Sequence, residues 1–186
     1  MDNKTILLVA VIISWSFFFL LRREPKHYWS TRIDKYIPVI PVFVVPYIIL
    51  FPFVIVASIL MLRTPFSTEF FVSIFSANTA AALFWFFIPT GMRREHVSNK
   101  KLFNTWIAWL YRHDRPSNEF PSSHVFSSII CGYYLALAFP TFAGLIWILA
   151  GLIAISTIFV KQHYVLDILG GLLCAMGAIG IAYLLV

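Results

Sequence analysis

The sequence predicts an all-α integral membrane protein, a six-transmembrane helix bundle that forms a single domain over residues 1–186. The chain is 60% hydrophobic and 12% charged, with a mean hydropathy of +0.85, whereas a soluble domain is about half apolar and a quarter charged. Its apolar residues also fall into runs of about 20 residues, the length of a helix that crosses a bilayer. Six such spans leave no room for a separate soluble domain.

The predicted spans cover residues 5–21, 37–62, 66–88, 121–139, 142–160 and 165–186. We interpret the first as a retained span and not a cleaved signal peptide, because its apolar run is long and no small-residue cleavage site follows it. Pro46 and Pro52 should kink the second span, since each lacks an N–H for the helical ladder. In the last span, Gly170, Cys174 and Ala178 repeat at four-residue spacing, which lets helices approach closely.

The polar connection between the third and fourth spans contains a short amphipathic pattern. One face of a helix there would carry Leu102, Phe103, Trp106, Trp109 and Leu110. An amphipathic helix with tryptophans on its apolar face is typical of the membrane interface, where their rings lie at headgroup depth. We therefore predict a short interfacial helix in this connection.

The net charge of +6 arises from basic residues that lie between the apolar runs, a distribution set by membrane topology. Nucleic acid is therefore excluded as a partner. Among the fourteen Lys and Arg residues, all but Lys4 and Arg63 lie in the connections after the first, third and fifth spans, which makes twelve on that side. The positive-inside rule places this side in the cytoplasm of a cell (inner) membrane.

Two polar strings interrupt the apolar sequence, Phe120-Pro121-Ser122-Ser123-His124 and the stretch from Ser156 to Asp167. Ionisable residues within or at the end of a membrane span are functional-site candidates. His163 and Asp167 are four residues apart, so on one helix they would share a face. The carboxylate could then hold one imidazole nitrogen and leave the other free to attack. The alternative is a polar pair that is merely satisfied between helices.

The first string places His124 in the first turn of the fourth span, where free backbone N–H groups and the helix dipole favour an anion. Ser122 and Ser123 add hydroxyl donors there, although they could also form an ordinary helix cap. The cations that could bind phosphate oxygens are Arg93, Arg94, Arg115 and Lys161. For each of these cations, headgroup contact or topology signalling is the alternative.

These strings resemble those of the type 2 phosphatidic acid phosphatase superfamily of membrane lipid phosphatases and phosphotransferases. The Pro-Ser-Gly-His string of that family reads Pro121-Ser122-Ser123-His124 here, and its Ser-Arg, five residues, His, three residues, Asp pattern is matched by Ser156, His163 and Asp167. Asp114-Arg115-Pro116 and Lys161-Gln162-His163-Tyr164 are most similar to the branch with inositol-phosphoceramide-synthase-type proteins.

The chain departs from the family pattern at three places. Thr157 replaces the arginine that follows Ser156, and Lys161 is the candidate to supply that charge instead. Ser123 replaces the family glycine. Arg93-Arg94 is followed by Glu95, without the lysine that the first family motif has before its Arg-Pro pair. These departures affect the predicted phosphate ligands more than the predicted histidines.

The resemblance implies that His163 attacks phosphorus to form a phosphohistidine while Asp167 orients it. It also implies that His124 protonates the leaving oxygen and then deprotonates the incoming water or alcohol. Ser122, Ser123, Ser156 and the four cations would bind the substrate phosphate, and no metal or cofactor is required. The implied partner is a lipid phosphate in the bilayer, and phosphatidate, phosphatidylglycerol phosphate and polyprenyl pyrophosphate all fit.

Three rival functions are compatible with the same residues. A lipid phosphotransferase would use an alcohol in place of water. A metal-dependent enzyme would use His124, His163 and Asp167 as ligands. A membrane scaffold or transporter could carry a degenerate, non-catalytic form of the motif.

Overall fold

The computed structural model describes Val9, residues 23–94 and residues 101–186. This part of the chain folds into six α-helices and contains no β-strand. The helices are α1 (Val44–Met61), α2 (Ser67–Phe87), α3 (Leu102–His113), α4 (Ser123–Ala138), α5 (Ala143–Phe159) and α6 (Val165–Leu185). Single 3₁₀ turns cover Ile33–Lys35, Pro41–Phe43 and Pro140–Phe142. Apart from Val9, the predicted span over residues 5–21 lies outside the described residues.

Four helical segments within the described ranges are long and apolar enough to cross a membrane, and α4 is a shorter apolar helix. The four segments are Pro41–Met61, Ser67–Phe87, Pro140–Phe159 and Val165–Leu185. The chain is therefore a membrane-embedded helical protein. The second predicted span begins later than expected, because Ile40 is extended and Pro41 starts the helical turn that leads into α1. Helix α1 continues through Pro52 without a break in its helical assignment.

Helix α4 occupies the centre of the bundle, where it packs against α1, α2, α5 and α6. Its side chains are buried on most of its circumference, with Phe126, Ile130 and Tyr134 fully buried. The outer helices instead present apolar side chains outward, as Leu145 and Leu173 do, in the way expected of helices that face lipid. The central position of α4 puts its first turn in the middle of one end of the bundle.

Small residues let α6 approach the beginning of α4. A Cβ atom at Gly171 would lie 2.7 Å from the Val125 Cβ and 2.8 Å from the Ser122 carbonyl oxygen, and a Cβ atom at Gly170 would clash with the Phe120 ring. Further along α6, Ala175, Ala178 and Ala182 are buried, whereas Cys174 is only partly buried. The spacing of small residues predicted such an approach, and it brings the first turn of α6 against that of α4.

The predicted helix in the polar connection is present as α3. Ile107 and Leu110 are buried against a cluster that includes Val44 and Tyr47 of α1. On the same helix Trp106 and Trp109 are 41% and 52% exposed. The location of α3 in the membrane interface stays a prediction.

The close packing at Gly171 generates a stability prediction. Gly171→Ala should lower the free energy of unfolding by about 1–3 kcal/mol, because the added methyl group overpacks a contact with backbone and with Val125. Thermal unfolding in detergent micelles measures this. Gly177→Ala, on the same helix with nothing within 4 Å of its Cβ position, is the matched control. Equal unfolding temperatures for the two variants would contradict the prediction.

Candidate functional site

The two polar strings lie at the same end of the bundle. The Ser122 N–H donates a hydrogen bond to the Asp167 carbonyl at 3.1 Å, which joins the strings directly. Beside them, the Ile40 N–H donates to the Phe159 carbonyl at 3.0 Å and the Lys26 N–H donates to the Pro89 carbonyl at 2.9 Å. The starts of α1, α4 and α6 and the ends of α2 and α5 therefore meet at one place.

His124 and His163 face each other across a cavity of about 270 Å³, with ring centroids 6.1 Å apart. Both side chains are buried, and neither nitrogen of His124 has a hydrogen-bond partner among the residues that the structure describes. The His124 ring stacks on Tyr47 of α1 at a centroid distance of 4.0 Å, which fixes the plane of the imidazole. The cavity thus contains two imidazoles, and both nitrogens of the His124 ring are without a partner in the described part of the chain.

The predicted His163–Asp167 pair is formed, but through a helix cap and not along a helix face. His163 precedes α6, and Tyr164 is the N-cap residue. The Asp167 Oδ2 atom accepts a hydrogen bond from the Tyr164 N–H at 2.8 Å and lies 3.5 Å from the His163 Nδ1 atom. Because the capping box turns the chain back on itself, the carboxylate reaches the imidazole from the first turn of α6.

Glu119 is a site residue that the sequence analysis missed. Its Oε2 atom lies 3.2 Å from the His163 Nδ1 atom, and its side chain is 5% exposed. The signal in the sequence was a carboxylate immediately before the Phe120-Pro121-Ser122-Ser123-His124 string, but nothing local indicates that it turns toward His163. His163 therefore has two carboxylates at the same ring nitrogen.

The buried position of Glu119 raises the pKa of its carboxyl well above the ordinary value near 4.5. Loss of solvent is the largest cause, and the negative charge of Asp167 adds to it. Asp114 acts in the same direction, whereas the positive charge of Arg94 opposes it. Glu119 consequently holds a proton more tightly than a glutamate in water does.

Among the predicted cations, Arg94 contacts Gln162, the residue that precedes His163. Its guanidinium donates hydrogen bonds to the Gln162 side chain and to the Asp114 carbonyl, and it lies 3.5 Å from the Asp114 carboxylate. It also stacks over the Tyr111 ring at 5.0 Å. Arg94 thereby connects the end of α3 to the turn that carries His163.

The other predicted ligands are distributed around this end of the bundle. Ser123 lines the cavity, whereas Ser122, Arg93, Arg115, Lys161 and Ser156 are not among its lining residues. The Ser122 hydroxyl is buried and has no hydrogen-bond partner within the described ranges.

The guanidinium of Arg93 lies over the Tyr28 ring at 5.2 Å, and Arg115 is exposed. Lys161 donates to the Asp34 carbonyl at 3.0 Å, and Ser156 donates to the Ile153 carbonyl within α5 at 2.6 Å. The structure therefore groups His124, His163, Asp167 and Ser123, whereas Arg93, Lys161 and Ser156 contact other partners.

Asp34 is a second residue that the sequence analysis missed. Its Oδ1 atom accepts the Val165 N–H at 2.9 Å, and its Oδ2 atom accepts the Thr31 N–H and hydroxyl at 2.5 and 2.7 Å. Since its carbonyl also binds Lys161, Asp34 links the segment before α1 to both sides of the His163 turn. This contact anchors the turn from outside the two polar strings.

The raised pKa of Glu119 generates a prediction about pH. Above the ordinary value near 4.5 the unfolded chain loses this proton while the folded protein keeps it, so the free energy of unfolding falls as the pH rises. Glu119→Gln removes the titration. The unfolding temperature of the variant, minus that of the unmodified protein, should therefore increase in detergent micelles as the pH rises above about 4.5. Glu24→Gln, at an exposed position, controls for the loss of one carboxylate, and a difference that stays constant with pH would contradict the prediction.

Comparison with known protein families identifies a match to the PAP2 superfamily over residues 93–186, which is 94 of the 186 residues. Comparison with curated proteins and with solved structures gives no match. Members of the PAP2 superfamily are typically phosphatases or related enzymes. The matched region contains His124, His163, Asp167 and Glu119. On this match, and with its polar strings gathered at one end of a membrane-embedded bundle, the chain belongs to the PAP2 superfamily.

Proposed function

We propose that this protein is a metal-independent membrane lipid phosphatase, which hydrolyses a phosphate monoester or pyrophosphate of a lipid through a phosphohistidine. The observation that supports this most directly is the pair of imidazoles, 6.1 Å apart in one cavity, of which His163 has carboxylates at Nδ1. Hydrogen bonds and reactive contacts of about 3 Å from each ring could meet at a single small group between them. Superfamily membership makes phosphoryl chemistry the reaction class.

His163 is the proposed nucleophile. With the Nδ1 proton directed to a carboxylate, the lone pair lies on Nε2, which faces away from Glu119 and Asp167 on the other side of the ring. Nε2 gives its electron pair to phosphorus, the bond from phosphorus to the leaving oxygen breaks, and a phosphohistidine forms. Asp167 and the cap of α6 hold the ring in place during this step.

His124 is the proposed general acid and base. It donates a proton to the leaving oxygen in the first step and takes one from water in the second, when the nitrogen–phosphorus bond breaks and phosphate is released. A positioned group of this kind contributes about 10²–10⁴ in rate. Its stacking on Tyr47 and its nitrogens, unpartnered in the described part of the chain, suit a ring that exchanges protons with a bound group.

The proposed phosphate site is the first turn of α4. Ser123 lines the cavity there, and the free N–H groups of a first helical turn stabilise negative charge on phosphoryl oxygens. Arg94 is the best-placed of the predicted cations, since it contacts Asp114 on the cavity wall and Gln162 beside His163. Ser122, Ser156, Arg93, Arg115 and Lys161 remain candidates from the sequence.

The lipid tail would lie along the apolar side of the same cavity. Leu50, Phe51, Trp109 and Leu110 line that side, between α1 and α3. Phe51 is 48% exposed on the outer surface of α1, so the apolar wall continues toward the lipid-facing surface of the bundle. This arrangement suits a substrate with a phosphate headgroup and a hydrocarbon tail. On the distribution of Lys and Arg, we place this end at the cytoplasmic face.

A lipid phosphotransferase is the second candidate. The Ser117 hydroxyl and the Asn118 side-chain oxygen lie on the cavity wall, are buried, and have no hydrogen-bond partner among the described residues. Unpartnered buried polar groups of this kind suit the hydroxyl of an alcohol acceptor. In that case an alcohol would replace water in the second step, and the catalytic residues would be unchanged.

The roles of the histidines can be tested by substitution in purified protein. His163→Ala and His124→Ala should each lower phosphate release from phosphatidate, phosphatidylglycerol phosphate or polyprenyl pyrophosphate by about 10² or more, because each removes a group that bonds to the reacting atoms. Rapid acid quench should trap a phosphoenzyme in the unmodified protein and none in His163→Ala. His27→Ala, an exposed histidine, is the matched control. Full activity of His163→Ala would rule out the proposed mechanism.

Two further measurements separate the rival functions. We expect inorganic phosphate as the product with water alone. The appearance of a phosphorylated alcohol in its place, when a lipid alcohol such as diacylglycerol is added, would assign the chain as a transferase. We also expect turnover to persist after treatment with a divalent-metal chelator. Loss of turnover that is restored by metal would favour the reading of His124, His163 and Asp167 as metal ligands.

A further inference from the structure

Glu119 is the acidic side chain nearest to His163 among the described residues. The distance from its Oε2 atom to the His163 Nδ1 atom is 3.2 Å, compared with 3.5 Å from the Asp167 Oδ2 atom. Both carboxylates are almost fully buried, with exposed side-chain fractions of 5% and 2%. The four-residue spacing predicted the contact of Asp167 with His163, but it assigns no role to Glu119.

The two carboxylates differ in their other partners. The Asp167 oxygen that faces His163 also accepts the Tyr164 N–H at 2.8 Å, so it completes the cap of α6. For Glu119, His163 is the polar partner that the structure shows within the described ranges. An oxygen shared with a backbone donor has less hydrogen-bonding capacity left for the imidazole. Glu119 places a second carboxylate oxygen at Nδ1, and neither carboxylate forms a hydrogen bond of standard geometry with that nitrogen in the structure.

The backbone around Glu119 holds its carboxylate toward the cavity. Thr90 accepts the Asn118 N–H with its carbonyl at 3.0 Å and the Phe120 N–H with its hydroxyl at 2.8 Å, so the residues on both sides of Glu119 are fixed by one buried residue. Asn118 has a φ of 64°, in the left-handed region that asparagine tolerates better than most residues. These contacts turn the chain so that Glu119 points inward.

We propose that Glu119 is a positioning residue for His163, and that its carboxylate stabilises the positive charge on the imidazole when Nε2 bonds to phosphorus. This inference rests on the proposed phosphohistidine. In the step, the Nε2 electron pair forms the nitrogen–phosphorus bond, the phosphorus–oxygen bond breaks, and the leaving oxygen takes its proton from His124. The step uses the ionised form of Glu119, which the protein reaches at a higher pH than a glutamate in water does. The Nδ1 proton stays between His163 and Glu119, so the phosphorylated ring is a cation beside a carboxylate.

The positive charge of Arg94 offsets only part of the negative charge at Glu119, because burial and two further carboxylates outweigh it. Arg94, from the segment after α2, pairs with Asp114 at the end of α3. Glu119 and Asp167 then face the ring of His163, while His124 of α4 lies on the opposite side of the cavity. Because burial excludes the water that would screen these charges, a carboxylate at 3.2 Å affects the energy of an imidazolium strongly. The same burial and repulsion account for the raised pKa of Glu119 in the free protein.

The test compares phosphoenzyme formation in single turnovers. Glu119→Gln keeps the size of the side chain and an acceptor oxygen but removes the charge. The probe is the radiolabelled lipid among phosphatidate, phosphatidylglycerol phosphate and polyprenyl pyrophosphate that gives the highest turnover. We expect phosphoenzyme to form at least about tenfold more slowly in Glu119→Gln, since tenfold corresponds to only about 1.4 kcal/mol of lost transition-state stabilisation. Glu119→Asp, which keeps the carboxylate, should recover part of the rate, and Glu24→Gln should retain all of it.

Thermal unfolding of the same proteins distinguishes this role from a structural one. If Glu119 acts on His163 and does not hold the fold together, the Glu119→Gln variant should be at least as stable as the unmodified protein at neutral pH, because burying a charge costs folding free energy. Formation of phosphoenzyme at the unmodified rate in Glu119→Gln would reject the role of Glu119 and leave the phosphohistidine in place. A slower rate accompanied by a lower unfolding temperature, with both defects equal in Glu119→Asp, would also reject it. Absence of any phosphoenzyme in the unmodified protein would overturn both proposals.

Discussion

The buried contact between the His163 imidazole and two carboxylates is the interaction on which the arrangement of this end of the bundle depends. Glu119 approaches Nδ1 from the loop before α4, and Asp167 approaches it from the first turn of α6. Ionisable groups removed from water are costly unless they have partners. The loop and the two helices must therefore close around one ring. In the proposed mechanism, that requirement decides which ring nitrogen attacks the substrate.

This closure requires unusually close packing between α6 and α4. Gly170 and Gly171 have no side chain to separate the helices, so Phe120 and Val125 pack directly on the α6 backbone. The Ser122 N–H then reaches the Asp167 carbonyl at 3.1 Å. The small residues of α6 thus allow the two polar strings to meet, and the packing of α6 on α4 sets the distance between His124 and His163.

The segment before α1 lies outside the region that matches the PAP2 superfamily, yet it supports the site. Asp34 binds the Val165 N–H and, through its carbonyl, Lys161, so it holds the turn that carries His163 from the outer side. Trp29 contacts the rings of Phe84 and Phe120 at centroid distances of 5.8 and 4.9 Å. The family region contains both cavity histidines and the carboxylates beside His163, and the preceding segment restrains the loops on which they lie.

Local features of the sequence determined the membrane-embedded helices, the amphipathic α3 and the two polar strings, because hydropathy, prolines and short spacings are readable within about one span length. The His163–Asp167 pair was also predicted, although for the wrong geometry, since a four-residue spacing brings the two together in a helix cap as well as along a helix. The superfamily followed from the same strings. Location of the first predicted span and of α3 relative to a bilayer stays a prediction.

Contacts between residues far apart in the chain were decided by the tertiary structure. Nothing near Glu119 in the sequence indicates that Thr90 binds the residues on both sides of it. Nor does the local sequence show that the Glu119 carboxylate therefore faces His163. Nor does the Arg93-Arg94 pair show which guanidinium meets Gln162 and which one lies over Tyr28. The sequence by itself determined which chemical groups are present at the end of the bundle, and only the packing of α4 against α6 decided which of them touch, because a contact between distant segments depends on the position of every helix between them.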